Sequence, residues 1–302
     1  MKYVLSHRTE YTYDKPVRNS LGVHHLRPRQ LPWQSVASHA VTLEPVPGDL
    51  APDTDYYGNS VTYFHVTAPH ERLVIDAVSE VTVERPVYDE AALAVPWENA
   101  RPMEAATGAS AWAAVEYALE SPRVAHIPEA AAYAAESLTP GRPLGEAATD
   151  LMQRIHRDFD YDTKATTVTS TVADAMRKRA GVCQDFAHVA LACLRSHGLA
   201  ARYVSGYLAT QPPPGKERIV GADASHAWLA VWVPPVGTGA GQWLAIDPTN
   251  NQWANDRYIT VAWGRDYGDV SPVRGIIWSK AKRSTLRVSV DVAPVPVSPS
   301  VA

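Results

Sequence analysis

Gly181-Val182-Cys183-Gln184-Asp185-Phe186-Ala187-His188 is the stretch on which the fold turns. A loop ends at Gly181 and an apolar run begins, which puts Cys183 at the start of a helix predicted to reach about residue 197. Gly198 follows as the stop, because glycine accepts the left-handed conformation that closes a helix. The run is apolar nearly all round, the pattern of a buried central helix. The N-terminus of such a helix carries about half a positive charge and several free N–H groups. Both favour thiolate over thiol, so a cysteine placed there suits nucleophilic chemistry near neutral pH. Two later segments supply partners. Ala224-Ser225-His226-Ala227-Trp228 offers a histidine at a strand start, and Trp243-Leu244-Ala245-Ile246-Asp247-Pro248-Thr249-Asn250 offers an aspartate at a strand end. Cysteine, histidine and aspartate are the residue types of a nucleophile, a base and an orienting group.

Working outward, the segment before Cys183 reads as helices and the segment after it as strands. Residues 128–137 predict a short helix. Residues 145–158 predict an amphipathic one, with Ala148, Leu151, Met152 and Ile155 at helical spacing. A third helix is predicted over 171–178. Strands are predicted at 201–208, 226–233 and 243–247, with a further strand at 285–292 expected to close the same sheet. Residues 1–84 read as all-β, with alternating runs such as Tyr3, Leu5, His7, Thr9, Tyr11 and Tyr13 separated by turn residues, and predict an antiparallel sandwich. Between these parts, 85–125 is punctuated by Pro86, Pro96 and Pro102 and reads as a connecting segment. The tail, 293–302, is rich in proline, serine and valine and is expected to be disordered.

The composition bounds the function. Of 302 residues, 46% are hydrophobic and 20% charged, as in an ordinary globular chain. Net charge is −4 and no lysine–arginine run is present, so a nucleic-acid partner is not expected. No stretch approaches the roughly 20 apolar residues of a membrane span, and no membrane partner is expected. The start, Met1-Lys2-Tyr3-Val4-Leu5-Ser6-His7-Arg8, lacks the apolar core of a secretory leader. Cys183 and Cys193 are the two cysteines. Ten residues apart on one helix, they would stand about 15 Å from one another, too far for a disulfide. Unpaired cysteines fit a reducing compartment, and the expectation is a cytoplasmic protein.

The two later strands allow a register argument. Apolar faces come into phase with Trp228 opposite Ala245, Leu229 opposite Leu244 and His226 opposite Asp247. A slip of one residue would flip every side chain. Directly opposed Cβ atoms lie about 5 Å apart, which makes an Asp247–His226 hydrogen bond natural. Spacing alone does not place Cys183 beside them.

The chain resembles bacterial members of the transglutaminase-like superfamily, which have a papain-like cysteine-enzyme fold. The resemblance rests on residues 179–188 around Cys183, on 199–208, on Ser225-His226-Ala227-Trp228 and on Asp247-Pro248-Thr249-Asn250-Asn251. Residues 264–275 resemble the closing motif of one subgroup. That subgroup carries an N-terminal β domain whose pattern resembles Tyr11-Thr12-Tyr13, His25-Leu26-Arg27-Pro28 and Asp55-Tyr56-Tyr57-Gly58-Asn59. What the resemblance implies is an α+β chain: a β-sandwich domain over 1–84, then a catalytic domain over 126–292 in which the cysteine helix packs on an antiparallel sheet. It implies nucleophile, base and orienter at Cys183, His226 and Asp247, and acyl transfer from amides of a peptide or protein substrate. A non-catalytic peptide-binding module retaining the fold is the alternative.

Other residues weigh differently. Cys193 shares a stripe with Phe186, Val189 and Ala190 and reads as core. His188 points off the cysteine's face and reads as a structural hydrogen bonder, and Asp185 as a complement to the helix dipole. The pair His24-His25 lacks accompanying ligands at metal spacing. No calcium-loop pattern is present, so no metal or other cofactor is expected. Tyr161 is a candidate second oxyanion donor and Trp228 a candidate wall of the acyl groove, each weighed evenly against ordinary packing.

Overall fold

The computed structural model describes residues 1–104, 109–167, 169–210, 225–237 and 241–295. Five strands come first: β1 (Lys2–His24), β2 (Gln34–Glu44), β3 (Asp49–Thr54), β4 (Ser60–Val66) and β5 (His70–Val83). A helical stretch follows, with α1 (Glu90–Leu93), α2 (Ala109–Val115), α3 (Pro128–Ala135), α4 (Leu144–Asp158) and α5 (Val172–Lys178). Two-residue strands β6 (Asp160–Tyr161) and β7 (Ala180–Gly181) pair in parallel and lead into α6 (Cys183–Arg195). Strands β8 (Ala201–Leu208), β9 (Ser225–Val233), β10 (Gln242–Asp247), β11 (Gln252–Trp253) and β12 (Tyr258–Gly264) form a second sheet in the order β11-β10-β9-β8-β12. The chain then returns to the first domain with β13 (Val273–Ser279) and β14 (Ser284–Pro294).

Strand β1 is long because it serves two layers. Its first half lies between β5 and β14, its second between β4 and β13, with irregular register between Thr12 and Val17 where the strand bends. Phe64 and Val66 from one layer meet Leu43, Leu73, Ile75 and Ala77 from the other in a buried cluster. The region is thus antiparallel and two-layered, as the sequence suggests. The strand expected at 285–292 does not close the second sheet: it is β14, paired along β1 from Tyr3 opposite Pro294 to Tyr13 opposite Ser284. Alternation identifies an inner face, here Val290 and Val292, both buried, but not which sheet edge receives it. Part of the expected disordered tail is ordered too. β14 runs to Pro294, and Val295 N donates to Lys2 O, while 296–302 lie outside the described residues. The described parts of the segment 85–125, residues 85–104 and 109–125, are folded, and bury Trp97, Tyr117 and Val124.

The helices end where local chemistry ends them. Thr171 and Asp174 form a reciprocal capping box at the start of α5. Gly198, at φ +77°, takes the left-handed turn after α6. From Asp185 to Arg195 every residue of α6 is buried, against β8 and β9 on one side and α3, α4 and α5 on others. Each large apolar side chain buried there, such as Phe186, Leu191 or Leu194, contributes about 1.5–3 kcal/mol. Arg195 is buried as well, and donates to Ala201 O and Arg265 O, so the cation closes carbonyls that the turn would leave bare.

The β domain grips the outer edge of β12. The Gln34 side-chain amide donates to Thr260 O at 2.8 Å and accepts from Thr260 N at 2.8 Å. The Asn59 amide repeats this at Trp263, donating to its carbonyl at 2.8 Å and accepting from its N–H at 2.9 Å. Two amide side chains thereby act as fragments of a missing neighbour strand, which is what an exposed edge requires. Arg29 lies 3.5 Å over the Trp263 ring, and Arg202 lies 3.6 Å from the same ring. His7 bonds Tyr207 on β8 at 2.7 Å and completes the seam.

Candidate active site

Cys183 is the first residue of α6, partly exposed, and its placement depends on the turn before it. The Asp185 carboxylate folds back to accept from Val182 N at 2.9 Å and from the Thr166 hydroxyl at 2.6 Å. This satisfies a helix-start donor that would otherwise lack a partner. The fold-back leaves no room beside Gly181, where a Cβ would stand 2.6 Å from Asp185 Oδ2. Asp185 is therefore a capping residue, in line with its reading as a complement to the helix terminus.

His226 is the second residue of β9 and Asp247 the last of β10, but the register differs from expectation by two residues. Ala245 lies opposite Ala230 and Ile246 opposite Leu229. A slip of two keeps every side chain on its face, so the apolar phase could not distinguish the two pairings. Asp247 and His226 are consequently diagonal rather than directly opposed. They still meet, with Nε2 of His226 2.7 Å from Oδ2 of Asp247. The Cys183 side chain is near enough to act on the imidazole. With Nε2 engaged by the carboxylate, Nδ1 is the nitrogen left to face sulfur.

The carboxylate of Asp247 is fully buried and collects five donors. Thr249 N and Asn250 N reach Oδ1 at 2.8 and 3.3 Å, while His226, the Asn250 amide and the Tyr258 hydroxyl each reach Oδ2 at 2.7 Å. Asp247 thus begins an Asp-Pro turn with one oxygen and holds the histidine with the other. Burial works against its charge, yet the bonds from His226, Asn250 and Tyr258 and the imidazole's charge hold its pKa below the usual value. For His226, burial disfavours the cation, but the bonds and charges of Asp247 and Cys183 outweigh it and raise the imidazole to about 10.

The remaining candidates divide. Trp228 is 1% exposed, with its ring 6.0 Å from that of His226 and 5.2 Å from that of Tyr258. It backs the imidazole from beneath and offers no surface to a groove, contrary to its reading as a groove wall. Tyr161 is largely exposed, and the parallel pairing of β6 with β7 sets it opposite Gly181, near the cysteine. Partial burial and nearness to Cys183 raise its phenol, so it stays a donor. His188 accepts from Tyr267 N at 3.2 Å and is pushed down to about 3 by burial, a neutral structural acceptor. Cys193 is fully buried and burial raises it to about 12. His25 bonds Ser271 O, and His24 lies against Phe64, so the two rings have separate structural surroundings. Among the described residues no group of three or more His, Cys, Asp and Glu side chains could hold a metal ion.

Sequence reasoning missed the shell around Asp247. Asn250 had a signal, since an aspartate followed three residues later by asparagine suits an Asx-type turn. Tyr258 carries none, because it arrives on β12 from the far edge of the sheet; Gln252, opposite Asp247 on β11, donates its amide to the Tyr258 hydroxyl at 2.7 Å.

Comparison with known proteins accords with this architecture. Residues 3–82 match the bacterial transglutaminase-like N-terminal region and residues 131–248 the transglutaminase-like superfamily. The uncharacterized protein Rv2569c of Mycobacterium tuberculosis is 46% identical over 296 residues, covering 97% of this chain and 93% of its own. The uncharacterized protein ML0607 of Mycobacterium leprae is 32% identical over 273 residues, covering 89% and 91%. A crystal structure from Cytophaga hutchinsonii, described as a candidate cysteine protease, superposes with a TM-score of 0.76 at 17% identity over 99% of this chain and 93% of that one. The chain belongs to the transglutaminase-like superfamily, in the bacterial group with this N-terminal region. Among the described residues no helix is long and apolar enough to cross a membrane.

Proposed function

We propose that this protein is a thiol-dependent acyl-transfer enzyme acting on amide bonds of peptides or proteins. One observation carries the reading: a fully buried carboxylate holds the imidazole of His226 at 2.7 Å, and the Cys183 side chain at the helix start is near enough to act on that imidazole. Sulfur of Cys183 attacks the amide carbonyl carbon and forms a C–S bond. The developing oxyanion is met by the Cys183 backbone N–H at the helix start, with Tyr161 the candidate second donor. The C–N bond then breaks as imidazolium His226 gives its proton to the leaving amine, Asp247 holding the ring. Neutral His226 next takes a proton from water or an incoming amine, which attacks the thioester and frees the thiol. Cys183 is partly exposed, so water has access, which favours peptide or isopeptide hydrolysis over crosslinking.

The test is alkylation by iodoacetamide across pH, read by peptide mass spectrometry at both cysteines, in wild type and His226→Ala. Cys183, partly exposed, is expected to react while the buried Cys193 stays inert, and the substitution should slow alkylation of Cys183 at least tenfold. Equal alkylation rates of Cys183 in both proteins would remove the activated nucleophile and favour a binding module. Turnover is then sought with peptide and glutamine-amide libraries, and Cys183→Ala must abolish it with folding intact.

A further inference from the structure

Strand β13 is an edge with little of the usual protection, its one charge, Arg274, being tied to Gly268 O. It pairs with the second half of β1, and no strand covers its other side among the described residues. Residues 274–278 are all exposed, including Ile276 at 63% and Trp278 at 56%. Edge strands are normally blunted by charge, proline or a covering element, and a bare apolar one is a template for another strand.

The end of this strand opens into a cleft of about 590 Å3 where β1 bends, lined by Lys15, Arg18, Asn19, His65, Trp278 and Lys280 among others. Lys15, Arg18 and Lys280 make no ion pair among the described residues. The nearby carboxylates are engaged or peripheral. Asp14 accepts from Lys282 N and Arg283 N, and the exposed Asp49 stands 3.7 Å from His65. Lys282 and Arg283, both exposed, extend the positive ground into the turn before β14. Cations without partners, an exposed indole and unpaired strand backbone thus share one face, in a chain whose net charge is −4.

We propose that this face binds an extended acidic polypeptide, which adds as a strand to β13 and sets its carboxylates against Lys15, Arg18 and Lys280. Main-chain hydrogen bonds would supply affinity, as in other strand additions, and charge would select the sequence. The site is independent of whether Cys183 is a nucleophile, and the test is arranged accordingly.

Fluorescence anisotropy of the full chain carrying Cys183→Ala, which prevents turnover, would use a labelled twelve-residue peptide of alternating glutamate and valine. The same peptide with lysine for glutamate is the control. Saturable micromolar binding of the glutamate peptide is expected, at least tenfold weaker for the lysine peptide. Arg18→Glu with Lys280→Glu should weaken the glutamate peptide at least tenfold, and both side chains are exposed, so folding is not at stake. Two peptides N-methylated at complementary alternate residues test the strand itself: one of them should lose binding, since an added strand donates from alternate residues. Equal binding of both charge types, indifference to the reversal, or full binding of both methylated peptides would overturn the proposal. So would a heparin oligosaccharide binding the site as tightly as the peptide. A concentration-dependent dimer in sedimentation velocity, abolished by Ile277→Lys, would assign the face to a second copy and equally overturn it.

Discussion

Replacing Tyr258 by Phe isolates one strut of the buried Asp247 carboxylate. The hydroxyl donates to Asp247 Oδ2 at 2.7 Å, and both side chains are buried. Burial, then the neighbouring Asp247 charge, raise the phenol, so it remains a donor throughout the working range. A hydrogen bond to a charged group is worth about 1.5–3 kcal/mol, and phenylalanine fills the same space without it. Losing the bond should raise the Asp247 pKa toward its ordinary value. The sign follows from linkage. Asp247 is depressed in the folded state, so its contribution is present above the ordinary carboxylate value and lost as pH falls through the folded one. Urea unfolding at pH 7 should therefore show Tyr258→Phe less stable by about 1.5–3 kcal/mol. The gap should narrow only at the acid end, as pH passes the carboxylate's folded values in variant and then wild type. A gap below about 0.5 kcal/mol at pH 7, or one that does not change on acidification, would refute the claim that the phenol acts on the ionised carboxylate.

Three other outcomes follow from the geometry. His226 is raised to about 10, so the stability it lends is complete below its ordinary value of about 6.5 and lost as pH rises through about 10; the unfolding midpoint should fall more steeply between pH 8 and 10.5 in wild type than in His226→Ala. Gly181→Ala drives a methyl into Asp185 and should cost about 1–3 kcal/mol, as overpacking does. Combining it with Asp185→Ala should cost less than the sum of the two, and additivity in the double-mutant cycle would disprove the clash. Asn59→Leu leaves the Trp263 N–H and C=O without partners and should cost about 2–4 kcal/mol by calorimetry or urea, with Gln34→Leu similar at Thr260.

The sequence revealed most where chemistry is local. The start of α6 could be read because a glycine, a cysteine and an apolar run stand together, and its end because Gly198 does. The faces of β9 and β10 were legible from alternation, which is why His226 and Asp247 could be set on one side of the sheet. Their register was not, because a slip of two residues preserves parity and the intervening loop does not fix it. Trp228 was placed on the correct face but given surface it lacks: alternation tells direction, not what covers a side chain. Tyr258 was invisible because it meets Asp247 only once β12 has crossed to the far edge of the sheet. For the same reason β14 could be recognised as a strand while its partner, β1, lies near the opposite end of the chain.

That last pairing has a consequence for how the protein is made. Tyr3 finds its neighbour Pro294 only after all the residues between them have been made. During synthesis the first half of β1 can pair with β5 at once, but its other side stays open while the entire cysteine-bearing domain is translated. At about 5–20 residues per second this interval lasts on the order of ten seconds or more. A nascent chain therefore carries an unfinished sheet throughout that interval, and mutations that delay β14 should appear first as poor yield rather than as altered chemistry.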